Sequence, residues 1–404
     1  MIQITDKSKC CGCNACGDVC AHTAITFQTD IEGFWYPVVD KDKCTDCGLC
    51  KKVCPQIYHS VREKKFNEPK VYAAYHTDNE VRMDSTSGGV FSALAELIYA
   101  DGGYVGGAVY NNDHTVSHFI SNDSVDLKNI RSSKYLQSSA EGFYRKIKKS
   151  LKTGKKVLVC GTPCQIEALY NFLHEDYDNL ITCDFICRGV NSPKVFLSYM
   201  KMLEEKYDSR AIGIKFKAKK WGWHNFSMRV NFANGKQYCK DRWQDLFFIG
   251  YLQYGGFSRP SCYDCQFKNT VHRADITLAD FWGIESIDST MDQDKGTSLV
   301  LVNSSKGEGL FSKLGGIVIA KQFTLRQAMG QNMALVNSVK AVRSDREFFF
   351  SDIDKLPFDI ISEKYFAKPN LWLSIKKRYS IIGKITIWIG KFKQKFLCRQ
   401  SLTL

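Results

Sequence analysis

Two copies of one cysteine spacing, C-x2-C-x2-C-x3-C, stand near the start of this 404-residue chain. The first is Cys10, Cys13, Cys16 and Cys20; the second is Cys44, Cys47, Cys50 and Cys54, followed by Pro55. The repeat extends beyond the thiols: Asp6-Lys7-Ser8-Lys9-Cys10 returns 34 residues on as Asp40-Lys41-Asp42-Lys43-Cys44. In such a run three cysteines hold one 4Fe-4S cluster and the fourth reaches over to its neighbour. The spacing therefore assigns Cys10, Cys13, Cys16 and Cys54 to one cluster, and Cys44, Cys47, Cys50 and Cys20 to the other. Zinc and disulfides also use clustered cysteines, but neither calls for this duplicated run. Ala21 stands where the second copy has Pro55. A chain with these ligands moves single electrons.

The run resembles that of bacterial ferredoxins, so residues 1–58 are expected to form a dicluster module. Between its halves, Ile25-Thr26-Phe27 and Phe34-Trp35-Tyr36-Pro37-Val38 bracket the turn residues Glu32-Gly33, which predicts a small hairpin shielding the clusters. Residues 59–70 are polar and unpatterned and read as a linker. From Val71 onward, strand and helix patterns alternate. Strands are expected at Val71–Tyr75, Tyr104–Tyr110, Lys156–Cys160, Leu180–Cys187, Asp275–Ala279 and Ser298–Asn303. Helices are expected from Val90, over 141–152, from Pro163 to Leu173, and after Ser192-Pro193. Residues 211–240 read as β-structure turning at Asn234-Gly235. The whole is an α+β or α/β chain, a ferredoxin-like module followed by a mixed α/β body. Its expected divisions are 1–58, 70–150, 151–320 and a C-terminal extension, 321–404.

The formal charge of +14 raises nucleic acid as a partner, and the cluster chemistry argues against it. A thiolate-ligated 4Fe-4S centre carries about −2 when oxidised, so three would offset about 6 charges. From Leu371 onward there are eight Lys and Arg and no acid, which accounts for most of the remainder. No helix-turn-helix, zinc-finger or RNA-binding signature is present. Seventeen cysteines, and a start at Met1-Ile2-Gln3-Ile4 that runs straight into the first cysteine run, lead us to expect a reducing cytoplasm.

Four further cysteines fall at strand ends and turns: Cys164 after Gly161-Thr162-Pro163, Cys187 before Arg188-Gly189, and the pair Cys262 and Cys265. Such positions gather at one edge of an α/β sheet, where ligands bind. Four thiolates converging there suit a third cluster, a zinc knuckle or buried structural cysteines. Cys11, Cys160, Cys183, Cys239 and Cys398 have no assignment, and Cys160 and Cys183 read as core.

Five motifs resemble the coenzyme F420 hydrogenase/dehydrogenase beta-subunit family. They are Ser87-Gly88-Gly89-Val90-Phe91, Ser133-Lys134-Tyr135-Leu136-Gln137-Ser138, Gly161-Thr162-Pro163-Cys164-Gln165, Phe185-Ile186-Cys187-Arg188-Gly189-Val190, and Cys262 through Gly283. The resemblance spans about residues 1–310, and the motifs occur in family order. It implies a flavin-binding body, with FAD beside a 4Fe-4S cluster held by Cys164, Cys187, Cys262 and Cys265. Cofactor-binding roles then fall to Ser87, Gly88, Gly89, Val90, Ser133, Lys134, Tyr135, Gln137, Thr162 and Asp280. Ser87-Gly88-Gly89 opens a helix whose exposed N–H groups favour phosphate. Lys134 offers a cation for a pyrophosphate and Tyr135 a ring for the isoalloxazine. No G-x-G-x-x-G is present, so this is not a Rossmann-type site. The family often has His where Arg188 stands, which puts that side chain's role in doubt.

Lys219-Lys220-Trp221-Gly222-Trp223-His224 sets cations and an imidazole among aromatics, which makes Lys220 and His224 the catalytic candidates for an anionic or planar substrate. The same residues also suit a hairpin with packed tryptophans. Residues 371–397 alternate apolar and basic side chains, the pattern of a helix lying on an anionic membrane or docked on a partner. The expectation is an oxidoreductase with an electron donor such as ferredoxin or a partner subunit. Its electrons would run from the dicluster through a third cluster to FAD, and on to a small organic substrate or a deazaflavin. The alternatives are an electron-transfer subunit of a larger complex, an accessory reductase in polysaccharide biosynthesis, and a zinc or scaffold protein.

Overall fold

The computed structural model describes residues 1–58, 66–340 and 343–376. In the N-terminal module, β1 (Ile25–Thr29) pairs antiparallel with β2 (Trp35–Val39). Asp30 closes their turn by accepting from the N–H groups of Glu32 and Phe34, and Gly33 takes the left-handed conformation (φ 82°) the turn requires. Two short helices, α1 (Ala15–Val19) and α2 (Leu49–Lys52), occupy equivalent places in the two cysteine runs and pack together. Each follows a left-handed residue, Asn14 or Gly48. The sequence repeat is thus a structural repeat.

The body is a nine-stranded mixed sheet. Its strands are β3 (Lys70–His76), β4 (Tyr104–Tyr110), β5 (Val116–Ser121), β6 (Ser138–Ser139), β7 (Val157–Cys160), β8 (Leu180–Phe185), β12 (Ile276–Asp280), β13 (Ser298–Val302) and β14 (Val318–Phe323). Their order is β14-β3-β13-β12-β8-β7-β4-β5-β6. The central strands β4, β7, β8 and β12 run parallel. Their near-continuous apolar runs, such as Val157-Leu158-Val159, suit strands covered on both faces. The intervening numbers belong to a three-stranded antiparallel sheet, β9 (Ala211–Ala218), β10 (Ser227–Phe232) and β11 (Gln237–Asp241), which turns at Gly235 (φ 81°). Helices used below are α3 (Asn79–Asp84), α4 (Val90–Ala100), α5 (Leu127–Ile130), α6 (Phe143–Leu151), α7 (Pro163–Leu173) and α8 (Pro193–Tyr207).

The division expected at 320 falls within β14, which pairs with β3 across the sheet edge. Phe349, Phe350, Phe358 and Ile361 are buried in one core with α8 and the three-stranded sheet, so this stretch belongs to the body. The basic tail lies mostly outside the described residues, which end at Lys376. Among the described residues, no helix is long and apolar enough to cross a membrane.

The module is fastened to the body by polar contacts. Asp18 accepts from the N–H groups of Gly142 and Tyr144 at the start of α6, where the helix dipole favours a carboxylate. Arg145 donates to the carbonyls of Gly17, Asp18 and Cys20, and Tyr144 donates to that of Cys13. Glu32 receives Arg346 through both carboxylate oxygens, at 2.7 and 2.6 Å.

Candidate functional site

Three neighbouring regions carry the chemistry. The first is the dicluster module. Cys10, Cys13, Cys16 and Cys54 line one cavity, closed by Ile2, Ile4, Phe27 and Pro37. This is the set expected from the crossed spacing. Burial above all pushes Cys16 well up and raises Cys54, with neighbouring thiols adding to both, so the unligated sulfurs favour the neutral form. In the second half-site, Cys50 is buried and accepts from Ile2 N–H at 3.1 Å, Cys20 accepts from Ala24 N–H at 3.4 Å, and Cys47 is exposed.

The second region is a cavity whose lining includes Cys164, Cys187, Cys262 and Cys265, with Thr162, Gln137, Lys268 and His272 around them. Cys164 sits in the first turn of α7, capped by Thr162 and Gln165. Thr162 Oγ1 is 3.0 Å from Cys164 Sγ. Cys187 follows β8, and Cys262 ends a short turn after Pro260. Burial foremost raises Cys187, raises Cys265, and lifts Cys262 to about 12. Cys164 rises first through its hydrogen bond with Cys11, then through burial. Cys187, Cys262 and Cys265 each feel the charge of others in the set, a repulsion that a shared cationic centre would relieve. His272 is held by Asp184 at 2.8 Å through Nδ1, while its buried Nε2 has no partner among the described residues. Cys160 and Cys183 face each other across β7 and β8, and Cys183 is buried.

The third region is a basic cleft assembled from segments far apart in sequence. Lys215, Lys217 and Lys219 of β9 and the residue after it reach three loops. Lys215 pairs with Asp84 at the end of α3. Lys219 donates to the carbonyls of Arg82, Ser87 and Lys295 at 2.6–2.7 Å. Lys217 pairs with Asp280 at the end of β12, with its ammonium 5.0 Å from the ring centres of Phe226 and Trp282 and 5.7 Å from that of Tyr135. A bulge between β9 and β10 turns Lys217 inward at a left-handed φ of 53°, a strained conformation for a side-chain-bearing residue. Asp280 also accepts from Trp223 Nε1 at 2.7 Å, and Trp223 stacks on Trp282 with ring centres 4.7 Å apart. Buried Arg82 stacks over Tyr75 at 3.7 Å, and its Nη2 has no partner among the described residues.

The remaining expected residues have definite places. Ser87 Oγ donates to Thr297 O at 2.9 Å, and Gly88 N–H donates to Ser298 Oγ. Gly88 is needed for close approach, since a Cβ there would lie 2.3 Å from Ala74 O. Gly89 and buried Val90 open α4. Ser133 N–H donates to Thr86 Oγ1, joining two of the loops. Lys134 directs its ammonium to four carbonyls, of Asn129, Ile130, Arg131 and Ser132, and so caps α5. Tyr135 packs on Phe216 and Tyr251. Gln137 and Thr162 lie in the four-cysteine cavity, away from the β9 lysines. His224 Nε2 is 3.0 Å from Asp292, and Glu285 completes a group of three ligand-type side chains within 4.8 Å of one another. Lys220 is exposed over the Trp221 ring, so the inward cations are Lys217 and Lys219. Sequence reasoning missed Lys217, although lysines at alternate positions 215, 217 and 219 signal one strand face.

These features define an iron–sulfur electron-transfer protein with a mixed α/β body. Residues 9–57 match the 4Fe-4S dicluster domain, and residues 39–77 the 4Fe-4S single cluster domain of Ferredoxin I. Residues 154–327 match the C terminus of the coenzyme F420 hydrogenase/dehydrogenase beta subunit, and this part of the chain belongs to that family. No curated protein matches the sequence. Among solved structures, the chain is similar to one in the xenon-derivatized F420-reducing [NiFe] hydrogenase complex from Methanosarcina barkeri. The two share 17% identity over 80% of this chain and 94% of the other, with a TM-score of 0.42.

Proposed function

We propose that this protein is an iron–sulfur, flavin-dependent oxidoreductase that exchanges electrons between a protein donor and a small organic acceptor, a deazaflavin of the coenzyme F420 type being one such acceptor. The observation that carries the reading is the convergence of Cys164, Cys187, Cys262 and Cys265 on one cavity beside the first ferredoxin half-site. Four thiols without a carboxylate among them suit a third 4Fe-4S cluster. The basic cleft suits an anionic, planar cofactor: Lys217 lies among three aromatic rings, and buried Arg82 keeps an unpaired Nη2. We assign it FAD, held by the Ser87–Val90 loop, Ser133, Tyr135, Lys217 and Asp280, with Gln137 and Thr162 facing the cluster side. A bound flavin supplies the interconversion of single electrons and electron pairs. Burial pulls His224 down, but Asp292 outweighs it, with Asp294 and Glu285 adding to the rise. His224 thereby holds a proton at Nε2 beside the Trp223–Trp282 stack, the placement of a proton donor. Association with further protein subunits would make the same chain the electron-transfer member of a larger hydrogenase- or dehydrogenase-type complex, a reading favoured by the exposed Cys47 end.

Anaerobic purification and reconstitution tests this. About twelve irons and one flavin per chain are expected, from three clusters and one FAD. Eight irons with zinc at the third site would refute the cluster assignment, and absence of flavin would refute the FAD assignment.

A further inference from the structure

Cys11 belongs to neither cysteine run, yet it stands where two of the sulfur sites meet. It lines the cavity of Cys10, Cys13, Cys16 and Cys54, and also the cavity of Cys164, Cys187, Cys262 and Cys265. Its thiol is hydrogen-bonded to Cys13 on one side and to Cys164 on the other. One side chain therefore spans the gap between a ligand of the first ferredoxin cluster and a ligand of the inner site.

The surrounding backbone is held rigidly. Arg259, fully buried, donates to Cys10 O at 2.7 Å, to Trp35 O at 3.0 Å and to Gln137 Oε1 at 2.6 Å. The Cys262 N–H returns to Arg259 O at 2.9 Å. A single residue thus ties the Cys10–Gly12 loop to the turn that carries Cys262. Gly12 has a left-handed φ of 69°, and a Cβ there would lie 2.2 Å from Gln137 Nε2, so the loop has no room to shift. Among the described residues Arg259 has no carboxylate at ion-pair distance; it stacks on Tyr36 at 4.4 Å instead. A buried guanidinium without an acid needs another counter-charge. Two thiolate-ligated clusters, one on each side, are anionic and supply it.

We propose that Cys11, backed by Arg259, is the junction across which electrons pass between the first ferredoxin cluster and the four-cysteine site. It follows that the cluster of Cys44, Cys47, Cys50 and Cys20 is the outer end of the relay, where a donor docks. One electron crosses per event: one centre is oxidised by one electron and the other reduced by one. No bond is made or broken, and the Cys11 thiol keeps its proton. Cys11 is a positioning residue, not a cluster ligand. The inference rests on the third-cluster assignment.

The test compares anaerobic wild type, Cys11→Ala and Cys11→Ser by iron content, EPR redox titration and the rate of internal electron equilibration after flash photoreduction. Cys11→Ala is expected to keep the wild-type iron content, to shift one cluster's midpoint to more negative potential through loss of a hydrogen bond to sulfur, and to slow equilibration about tenfold. Cys11→Ser, which keeps a donor, should recover most of both effects. Unchanged midpoint and rate in Cys11→Ala would overturn the junction, and so would loss of four irons, which would make Cys11 a ligand. Eight irons in the wild type would instead remove the third cluster itself, a failure told apart by the count alone.

Discussion

The dicluster module and the basic cleft both gather charged or ionisable groups in a small volume, and they are assembled in opposite ways. The module draws its ligands from two short runs with a repeated spacing, and its apolar core contains cysteines themselves, Cys16, Cys50 and Cys54 packed with Ile2. The cleft draws Asp84, Ser87, Tyr135, Lys217 and Asp280 from separate segments, held in place by two sheets with large apolar cores. The module's geometry therefore depends on its metal, and the cleft's on packing.

Removing iron should separate the two most sharply. Chelation with oxidation is expected to open residues 1–58 to proteolysis while the nine-stranded sheet survives, as read by far-ultraviolet circular dichroism and fragment mass. Loss of the whole fold would mean that the body leans on the clusters as well. Next in size is Lys217→Met, which leaves Asp280 buried beside Trp223. A loss of about 3–5 kcal/mol is expected from stranding one partner of a buried pair. Adding Asp280→Asn should restore part of it, and denaturant unfolding of both variants measures the coupling. Arg346→Met, which breaks the bidentate pair with Glu32, should cost about 2–3 kcal/mol and act mainly on the hold between module and body, seen as faster proteolysis between them. Lys220→Ala, by contrast, touches only the surface and should move stability by no more than about 0.5 kcal/mol.

The smallest effect is a pH dependence at His224. Its pKa is raised in the folded state, because Asp292 and the nearby carboxylates outweigh the opposing effect of burial. The resulting stabilisation is fully present below the unfolded value of 6.5 and is lost as pH rises through the folded-state pKa. His224→Gln should flatten that slope in unfolding measured from pH 5 to 9. An unchanged slope would show that the imidazole and Asp292 are not coupled.

Much of this was legible in the chain itself. The crossed ligand set of the first half-site, the β1–β2 hairpin and the central strands follow from local spacing and periodicity, and the structure has them where they were expected. The family resemblance read from the motifs agrees with the match over residues 154–327. The division at 320 was not legible correctly, because β14 finds its partner β3 some 240 residues earlier, and no local pattern reports such a pairing. The inward lysine was missed for a different reason. Period-two alternation describes a regular strand, and the bulge at Lys217 breaks that regularity.

By itself, then, the sequence determined where iron can be held in the N-terminal module, since thiol spacing along a short chain limits which sulfurs can reach one cluster. Only the tertiary structure decided that Cys11 and Arg259 stand between that module and the four-cysteine cavity, and that Lys217 and Asp280 face each other under the tryptophans. Those contacts join residues far apart along the chain, and their positions are set by sheet register and core packing rather than by neighbours in sequence.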